Sequence, residues 1–326
     1  MLAVIIVSLC IIVPIFTSKA GDDAVIMIPR NATQQNVVDS VSKYLGREYA
    51  SKINRIAMFN NDNFSQRHGA YKIEKGMNAV EGFRRLSRGA QYPIKISING
   101  FRLLPTMAEK IAYKFDFSAD SLLNVLSDDS IMGSYNLGAG QGLALFLNDS
   151  YEAYWNISPK ALVKKIGENY RKVWNTSRMD KAKQLGLSPS DIMIIASIVD
   201  EETAKEEDKG KIGRLYINRI KKGMKLQADP TVKYAVGDFS LRRIRGEHLK
   251  KESPFNTYLH TGLPPAPIKT TSVATIDSIL NSKPNDYLYM CAKDDFSGYH
   301  AFASTYQDHL KNARAYQRAL NKRGIK

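Results

Sequence analysis

From Ser188 to Thr203 the chain passes from a helix start signal, through an apolar stripe, into three consecutive acids. Ser188 stands where an N-cap would, and Asp191 favours the positive end of the helix. Ile192, Ile195, Ile198 and Val199 form the stripe that such a helix lays against a core. The helical repeat separates the acids that follow. Glu202 lies seven positions past Ile195, only about 20° away around the axis, whereas Asp200 and Glu201 fall about 140° and 120° to either side. Asp200 and Glu201 are therefore expected to face solvent and Glu202 to face the core. A carboxyl on the apolar face is partly desolvated, which raises its pKa and suits it to general acid catalysis. The same placement also suits a helix-capping carboxylate or one paired with Lys or Arg, so position alone leaves the role open.

The rest of the chain frames this helix. With 326 residues, 44% of them hydrophobic, it can bury a sizeable core, and the length favours two domains over one. The first third holds a weak repeat of short strand, polar turn and amphipathic helix. Its three strands are expected at 25–28, 71–73 and 94–98, and its helices carry Val37, Val41 and Leu45, then Val80, Phe83 and Leu86, then Leu104, Met107 and Ile111. Thr33 and Asn78 stand at the N-cap positions. Residues 115–150, punctuated by Gly133, Gly138, Gly140 and Gly142, read as loops and a domain boundary. A helix is expected from Ser158 to Trp174, and another carries Ile212, Leu215, Tyr216 and Ile220 up to a stop at Gly223. Residues 226–267 read as loop-rich. A helix near 272–280, a hairpin of 287–292 with 299–303, and a basic helix from Thr305 complete the pattern.

Two features bear on location. Residues 1–16 carry no charge and read as a membrane anchor, although the run is short for a full span and lacks preceding basic residues. Ser18-Lys19-Ala20 could instead serve as a cleavage site, and either outcome places the remainder outside the cytoplasm. The formal charge of +15 calls for a polyanionic neighbour: an acidic polymer, anionic lipid or nucleic acid. No zinc-finger or RNA-binding signature accompanies it, so nucleic acid is the weakest of the three. The histidines show no metal-ligand spacing, and neither metal nor cofactor is expected. Cys10 and Cys291 lie in different surroundings, and no disulfide is expected between them.

Polar loops downstream of the acids could serve a sugar. Gln227 and Asp229 flank a rigid turn, while Asn256, Thr257 and Tyr258 place an amide, a hydroxyl and a phenol in a second loop. Such groups both donate to and accept from sugar hydroxyls, although Asp-Pro and Asn-Thr are also ordinary turn formers. His300 follows the hairpin turn, where a lone histidine is more often structural than catalytic.

Taken in order, several strings resemble the endolytic murein transglycosylases, the MltG/YceG-like family. They are Ala196-Ser197-Ile198-Val199-Asp200-Glu201-Glu202-Thr203, Tyr216-Ile217-Asn218-Arg219-Ile220, Met224-Lys225-Leu226-Gln227-Ala228-Asp229-Pro230-Thr231, Asn256-Thr257-Tyr258, Thr261-Gly262-Leu263-Pro264-Pro265 and Gly298-Tyr299-His300-Ala301-Phe302. Gly69-Ala70-Tyr71 through Gly76-Met77-Asn78, with Asn99-Gly100-Phe101, is similar to the family's LysM-like module. The resemblance implies an α+β protein in three parts: an anchor or signal segment over 1–20, a LysM-like α/β module over 21–120, and a mixed α+β catalytic domain over 121–326. It implies cleavage of the β-1,4 bond between N-acetylmuramic acid and N-acetylglucosamine within peptidoglycan strands, leaving a 1,6-anhydro end. The family's catalytic Glu falls on Glu202. Gln227, Asp229, Asn256, Thr257, Tyr258 and His300 are then the expected substrate contacts.

The implied partners are peptidoglycan, the cytoplasmic membrane and cell-wall synthesis proteins, not nucleic acid. The implied location is the cytoplasmic membrane, single-pass, with the catalytic domain on its outer side. Two departures stand out. Asp200 occupies the place of the family's first Glu, and Phe146-Leu147-Asn148-Asp149-Ser150-Tyr151 matches the family's Phe-x-Pro-Asp-Thr-Tyr only loosely. Two rival functions remain: a glycoside hydrolase using Glu202 and Asp229, and a non-catalytic wall-binding scaffold.

Overall fold

The computed structural model describes residues 17–138, 140–241 and 243–324, so all but the end of the expected anchor segment lies outside the described residues. Among the described residues, no helix is long and apolar enough to cross a membrane. The elements in chain order are β1 (Ala24–Ile28), α1 (Gln34–Leu45), α2 (Arg47–Phe59), β2 (Gly69–Ile73), α3 (Ala79–Ser87), β3 (Pro93–Ile98), α4 (Leu104–Ala112), α5 (Ala119–Leu126), α6 (Asp129–Gly133), α7 (Gly142–Leu145) and β4 (Asp149–Tyr154). They continue with α8 (Pro159–Val173), α9 (Thr176–Leu185), α10 (Pro189–Glu202), α11 (Glu206–Lys221), α12 (Asp229–Val236), α13 (Gly246–Leu249), α14 (Val273–Leu280), β5 (Tyr289–Ala292), β6 (His300–Ala303) and α15 (Tyr306–Lys322). The fold is mixed α+β, and among the described residues the strands pair in two-stranded sheets.

The chain forms two compact units, neither of them one continuous stretch. Among the described residues, the first comprises 17–96, 109–119 and 151–162, and the second 97–108, 120–138, 140–150, 163–241 and 243–324. In the first unit, β1 and β2 pair antiparallel, from Ala24 opposite Ile73 to Ile28 opposite Gly69. Strand alternation sends Ala24, Ile26 and Ile28 inward and leaves Met27 exposed. Helices α1 and α3 begin with capping boxes at Thr33 and Asn78, at the expected positions. Helix α2 was not anticipated. It follows directly on Gly46, whose φ of +88° breaks the helical run, and it buries Tyr49, Ala50, Ile53 and Ala57. Val37, Val41, Ile53, Phe64, Tyr71 and Leu86 close the core of this unit.

The second unit is organised around α10, α11 and α14. Glycines permit the close approach of α11 to α14: a Cβ on Gly213 would lie 2.6 Å from Ile279 Cγ1, and one on Gly210 would lie 2.6 Å from the Ser278 carbonyl oxygen. Antiparallel β5 and β6 pair from Tyr289 opposite Ala303 to Ala292 opposite His300, as a hairpin at the expected place. Helix α15 packs on it through stacked rings of Tyr289 and His309. Two stretches expected as loop contain helices. Residues 115–150 hold α5, α6 and α7, and the loop-rich stretch 226–267 holds α12 and α13. The pair Asp229-Pro230, which signals a turn, instead opens α12, because a helix's first turn needs no proline N–H.

Candidate active site

Helix α10 is buried nearly all round, not along one stripe: Ser190 and every residue from Ile192 to Val199 are buried. Its last turn therefore delivers all three acids into polar interior, and the expectation that Asp200 and Glu201 face solvent is wrong. Asp200 is paired with Lys209 at 3.0 Å and accepts from Thr275 Oγ1 at 2.6 Å and from Thr271 Oγ1. Glu201 receives the Arg102 guanidinium on both oxygens at 2.9 Å and Lys269 Nζ at 2.8 Å. Burial opposes ionisation of Glu201, but the two cations prevail and hold its carboxyl below the usual range.

Glu202 has no such cation, and no ion pair to it exists among the described residues. Its Oε1 accepts from Tyr216 Oη at 2.8 Å. Burial pushes its pKa up to about 7, and the charges of Asp229 and Glu201 act in the same direction. The Tyr216 bond and the Lys233 charge oppose the rise. Glu202 borders a cavity of about 250 Å³ with Tyr216, Arg219, Gln227, Asp229, Tyr258 and His300 among the walls. The site thus offers one proton-holding carboxyl at neutral pH, ringed by polar groups.

The other expected contacts divide into two sets. Gln227, Asp229, Tyr258 and His300 reach the cavity. Gln227 takes a left-handed backbone conformation, φ +49°, with its N–H bonded to the Thr257 carbonyl. Such strain in a non-glycine residue persists only where the surroundings impose it. Tyr258 Oη donates to Asp229 Oδ1 at 2.7 Å, and burial with this partner raises the phenol's pKa. His300 leans on buried Asp208, through its backbone N–H at 2.7 Å and its Nδ1 at 3.2 Å.

Asn256 and Thr257 do not reach the cavity. The Asn256 amide donates to the Leu249 and Lys251 carbonyls and accepts from the Tyr258 N–H. Thr257 Oγ1 accepts from the Ala228 N–H and bonds Thr231 Oγ1. Both residues are buried, and their polar atoms hold the 226–231 and 249–258 loops in place. They shape the site without facing it.

Two residues of the site carry a weak sequence signal. Tyr216 and Arg219 lie three apart on the stripe with Leu215, and an arginine on an apolar stripe needs buried partners. Arg219 finds them: its Nε donates to the Leu288 carbonyl at 2.7 Å and its Nη1 to the Leu226 carbonyl at 2.7 Å, while the Tyr289 ring lies 5.6 Å away. One guanidinium thereby ties α11, the Gln227 loop and the β5 strand into a single wall. Among the described residues no cluster of three or more His, Cys, Asp or Glu could hold a metal ion.

Fold and site together define an α+β protein whose cavity is built around a single desolvated acid. The chain belongs to the YceG-like family, whose sequence profile it matches over residues 26–315. It is 29% identical over 279 residues to an endolytic murein transglycosylase of Bacillus subtilis, covering 78% of this chain and 74% of that one. A protein of the same name from Streptococcus pneumoniae is 33% identical over 134 residues, 40% of this chain and 24% of that one. In three dimensions the chain is similar to a putative YceG-like protein from Listeria monocytogenes, with a TM-score of 0.58 at 22% identity, over 89% of this chain and 98% of that one.

Proposed function

We propose that this protein is an endolytic lytic transglycosylase that cuts peptidoglycan strands between N-acetylmuramic acid and N-acetylglucosamine, with Glu202 as general acid and then base. The observation that carries the reading is the setting of Glu202, buried at a polar cavity with a hydrogen bond from Tyr216 and no ion pair among the described residues, which pushes its pKa up to about 7. The names of its relatives support the substrate class.

Protonated Glu202 gives its proton to the glycosidic oxygen. The C1–O bond breaks, its electron pair leaves with the departing sugar, and an oxocarbenium-like centre develops at the muramic acid. The C6 hydroxyl oxygen of that sugar then bonds to C1, and the Glu202 carboxylate takes the hydroxyl proton. The ring closes without water, and Glu202 ends protonated as it began. No second carboxylate is needed to activate water, unlike the two-carboxylate hydrolases. Tyr216 steadies the carboxylate stage through its hydrogen bond to Oε1. Gln227, Tyr258 and His300 bind sugar groups, and Asp229 orients Tyr258.

Residues 1–20 are read as an anchor that holds the remainder outside the cytoplasm, because the uncharged run suits lipid. The β1-α1-α2-β2 arrangement supports reading residues 21–120 as a LysM-like module, with residues 121–326 as the catalytic domain.

The deciding experiment incubates the protein with purified peptidoglycan beside its Glu202→Gln variant and resolves the fragments by mass spectrometry. Ends one water lighter than hydrolysis products, absent with the variant, are expected. Glu202-dependent reducing ends would instead mean a hydrolase with Asp229 as base. Wall binding without cleavage would mean a scaffold.

A further inference from the structure

Helix α11 anchors a second structure that the Glu202 cavity does not use. Asn218 Nδ2 donates to the carbonyls of Asn285 at 2.9 Å and Tyr287 at 3.1 Å. Arg214 Nη2 donates to the Ser282 carbonyl at 2.8 Å and its Nε to Ser282 Oγ at 3.1 Å. The segment 282–287, which has no helix or strand of its own, is thereby staked to α11 at both ends. Between this segment and the first turns of α11 lies a second cavity of about 370 Å³, bordered by Glu207, Lys211, Lys283, Pro284 and Tyr287.

Three rings join the two cavities. His300, on the wall of the first, lies 6.3 Å from Phe302, which stacks on Tyr287, on the wall of the second, at 5.3 Å and 25°. The charges in the second cavity are unevenly committed. Glu207 accepts from Tyr299 Oη at 3.2 Å. Lys211, half exposed, pairs loosely with Asp208 at 3.6 Å and lies 5.7 Å over the Phe302 ring, and no ion pair to Lys283 exists among the described residues. An aromatic wall with one loosely paired ammonium group and a second without an ion pair among the described residues is suited to a sugar that carries a carboxylate.

Size supplies the reason for such a site. The catalytic cavity, about 250 Å³, falls below the roughly 300–1,000 Å³ of ordinary small-molecule sites. An enzyme that cuts inside a strand holds sugars on both sides of the broken bond, so the substrate extends beyond that cavity. We propose that the second cavity is a distal subsite for the glycan strand, seating a sugar against Tyr287 and receiving its acidic substituent at Lys211 and Lys283. The proposal rests on the reading of the first cavity as a strand-cutting site.

The test uses the full chain and its Lys211→Ala/Lys283→Ala variant on murein glycans of two lengths: a fragment just long enough to span the cleaved bond, and strands several disaccharides longer. Loss of two charge-assisted contacts predicts that kcat/KM on long strands falls roughly tenfold or more relative to the loss on the short fragment. Retention of long strands by Glu202→Gln protein should weaken by a similar factor when the two lysines are also replaced. Equal losses at both lengths, or none, would overturn the subsite. Binding separates the two claims. Lysine-dependent retention of strands by a wild-type protein that cuts nothing would keep the subsite and sink the catalytic reading. Normal cutting and retention after both substitutions would do the reverse.

Discussion

On one flank of the α10 terminus, Asp200 and Glu201 are enclosed by Lys209, Arg102, Lys269 and two threonine hydroxyls. On the other flank, Glu202 meets one phenol and an open cavity. The three acids are consecutive, share a helix and are each largely withdrawn from solvent, so the difference lies mainly in what the rest of the fold brings to them. Arg102 and Lys269 on the first flank favour ionisation of Glu201, while Lys209 and the two threonines tie Asp200 into the structure. No such ion pair to Glu202 exists among the described residues; the Lys233 charge and the Tyr216 bond do not offset its burial, and the carboxyl keeps its proton up to about pH 7. A buried acid is a candidate for catalysis when the fold withholds its counter-ion, and burial alone does not distinguish it from its neighbours.

The largest effect should come from Glu202 itself. Glu202→Gln keeps the shape and the acceptor for Tyr216 but carries no transferable proton, and turnover on peptidoglycan should fall by about a thousandfold or more. The same variant should be more stable than the parent in alkaline buffer. Between the ordinary carboxyl pKa and about 7, the folded protein binds more protons at Glu202 than the unfolded chain, so stability falls as pH rises through that window. Glutamine removes the fall. Thermal melts at pH 8 and pH 4.5 should show a stabilisation of about 1–3 kcal/mol at the higher pH that shrinks at the lower. An unchanged difference across pH would mean that Glu202 is not the desolvated group.

Next in size is Arg219. Arg219→Met keeps the bulk but abandons the Leu226 and Leu288 carbonyls inside the wall, at a cost of roughly 3 kcal/mol. Chemical denaturation measures it. A loss near zero would mean that the wall stands without its guanidinium.

Glu201→Gln should cost less, about 1–2 kcal/mol at neutral pH, since it loses one charge among partners that keep some access to water. Its pH dependence has the opposite sign to that of Glu202. A carboxyl held below its usual pKa contributes stability above the unfolded value, and the contribution fades as pH falls through the lowered folded value. The difference between parent and variant should therefore close in acid, whereas the Glu202→Gln difference opens in base. Matching slopes for the two variants would erase the distinction between the flanks.

How much of this could be read from residues alone follows the range of the interactions. Caps act within three residues, so Thr33, Asn78 and Ser188 mark their helices correctly. Helix α12 was missed because Asp229-Pro230 fits a turn and a helix start equally well, and only the packing of Pro230, Thr231 and Val232 into the interior decides between them. Glu202 could be singled out by helical phase, but the reasoning was incomplete. Phase predicted solvent for Asp200 and Glu201, whereas their partners Thr271, Thr275, Lys269 and Arg102 come from remote parts of the chain. Asn256 and Thr257 misled for the same reason: an amide and a hydroxyl in a loop look free until the loops they join, 226–231 and 249–258, are seen together.

The smallest effect probes the flank on which the acid has a phenol for its partner. Tyr216→Phe removes a single hydrogen bond to Glu202 Oε1 and changes nothing else in the ring's packing. That bond favours the ionised carboxyl, so its loss should raise the Glu202 pKa. Because the first step needs the protonated form, kcat/KM in the parent should decline above about pH 7, and in the variant the decline should begin at higher pH. The maximal rate should also drop modestly, since the carboxylate formed after proton transfer loses a donor. A merely structural tyrosine would lower the rate at every pH without moving the alkaline limb. A limb that moves would tie this one phenol to the proton that Glu202 gives up.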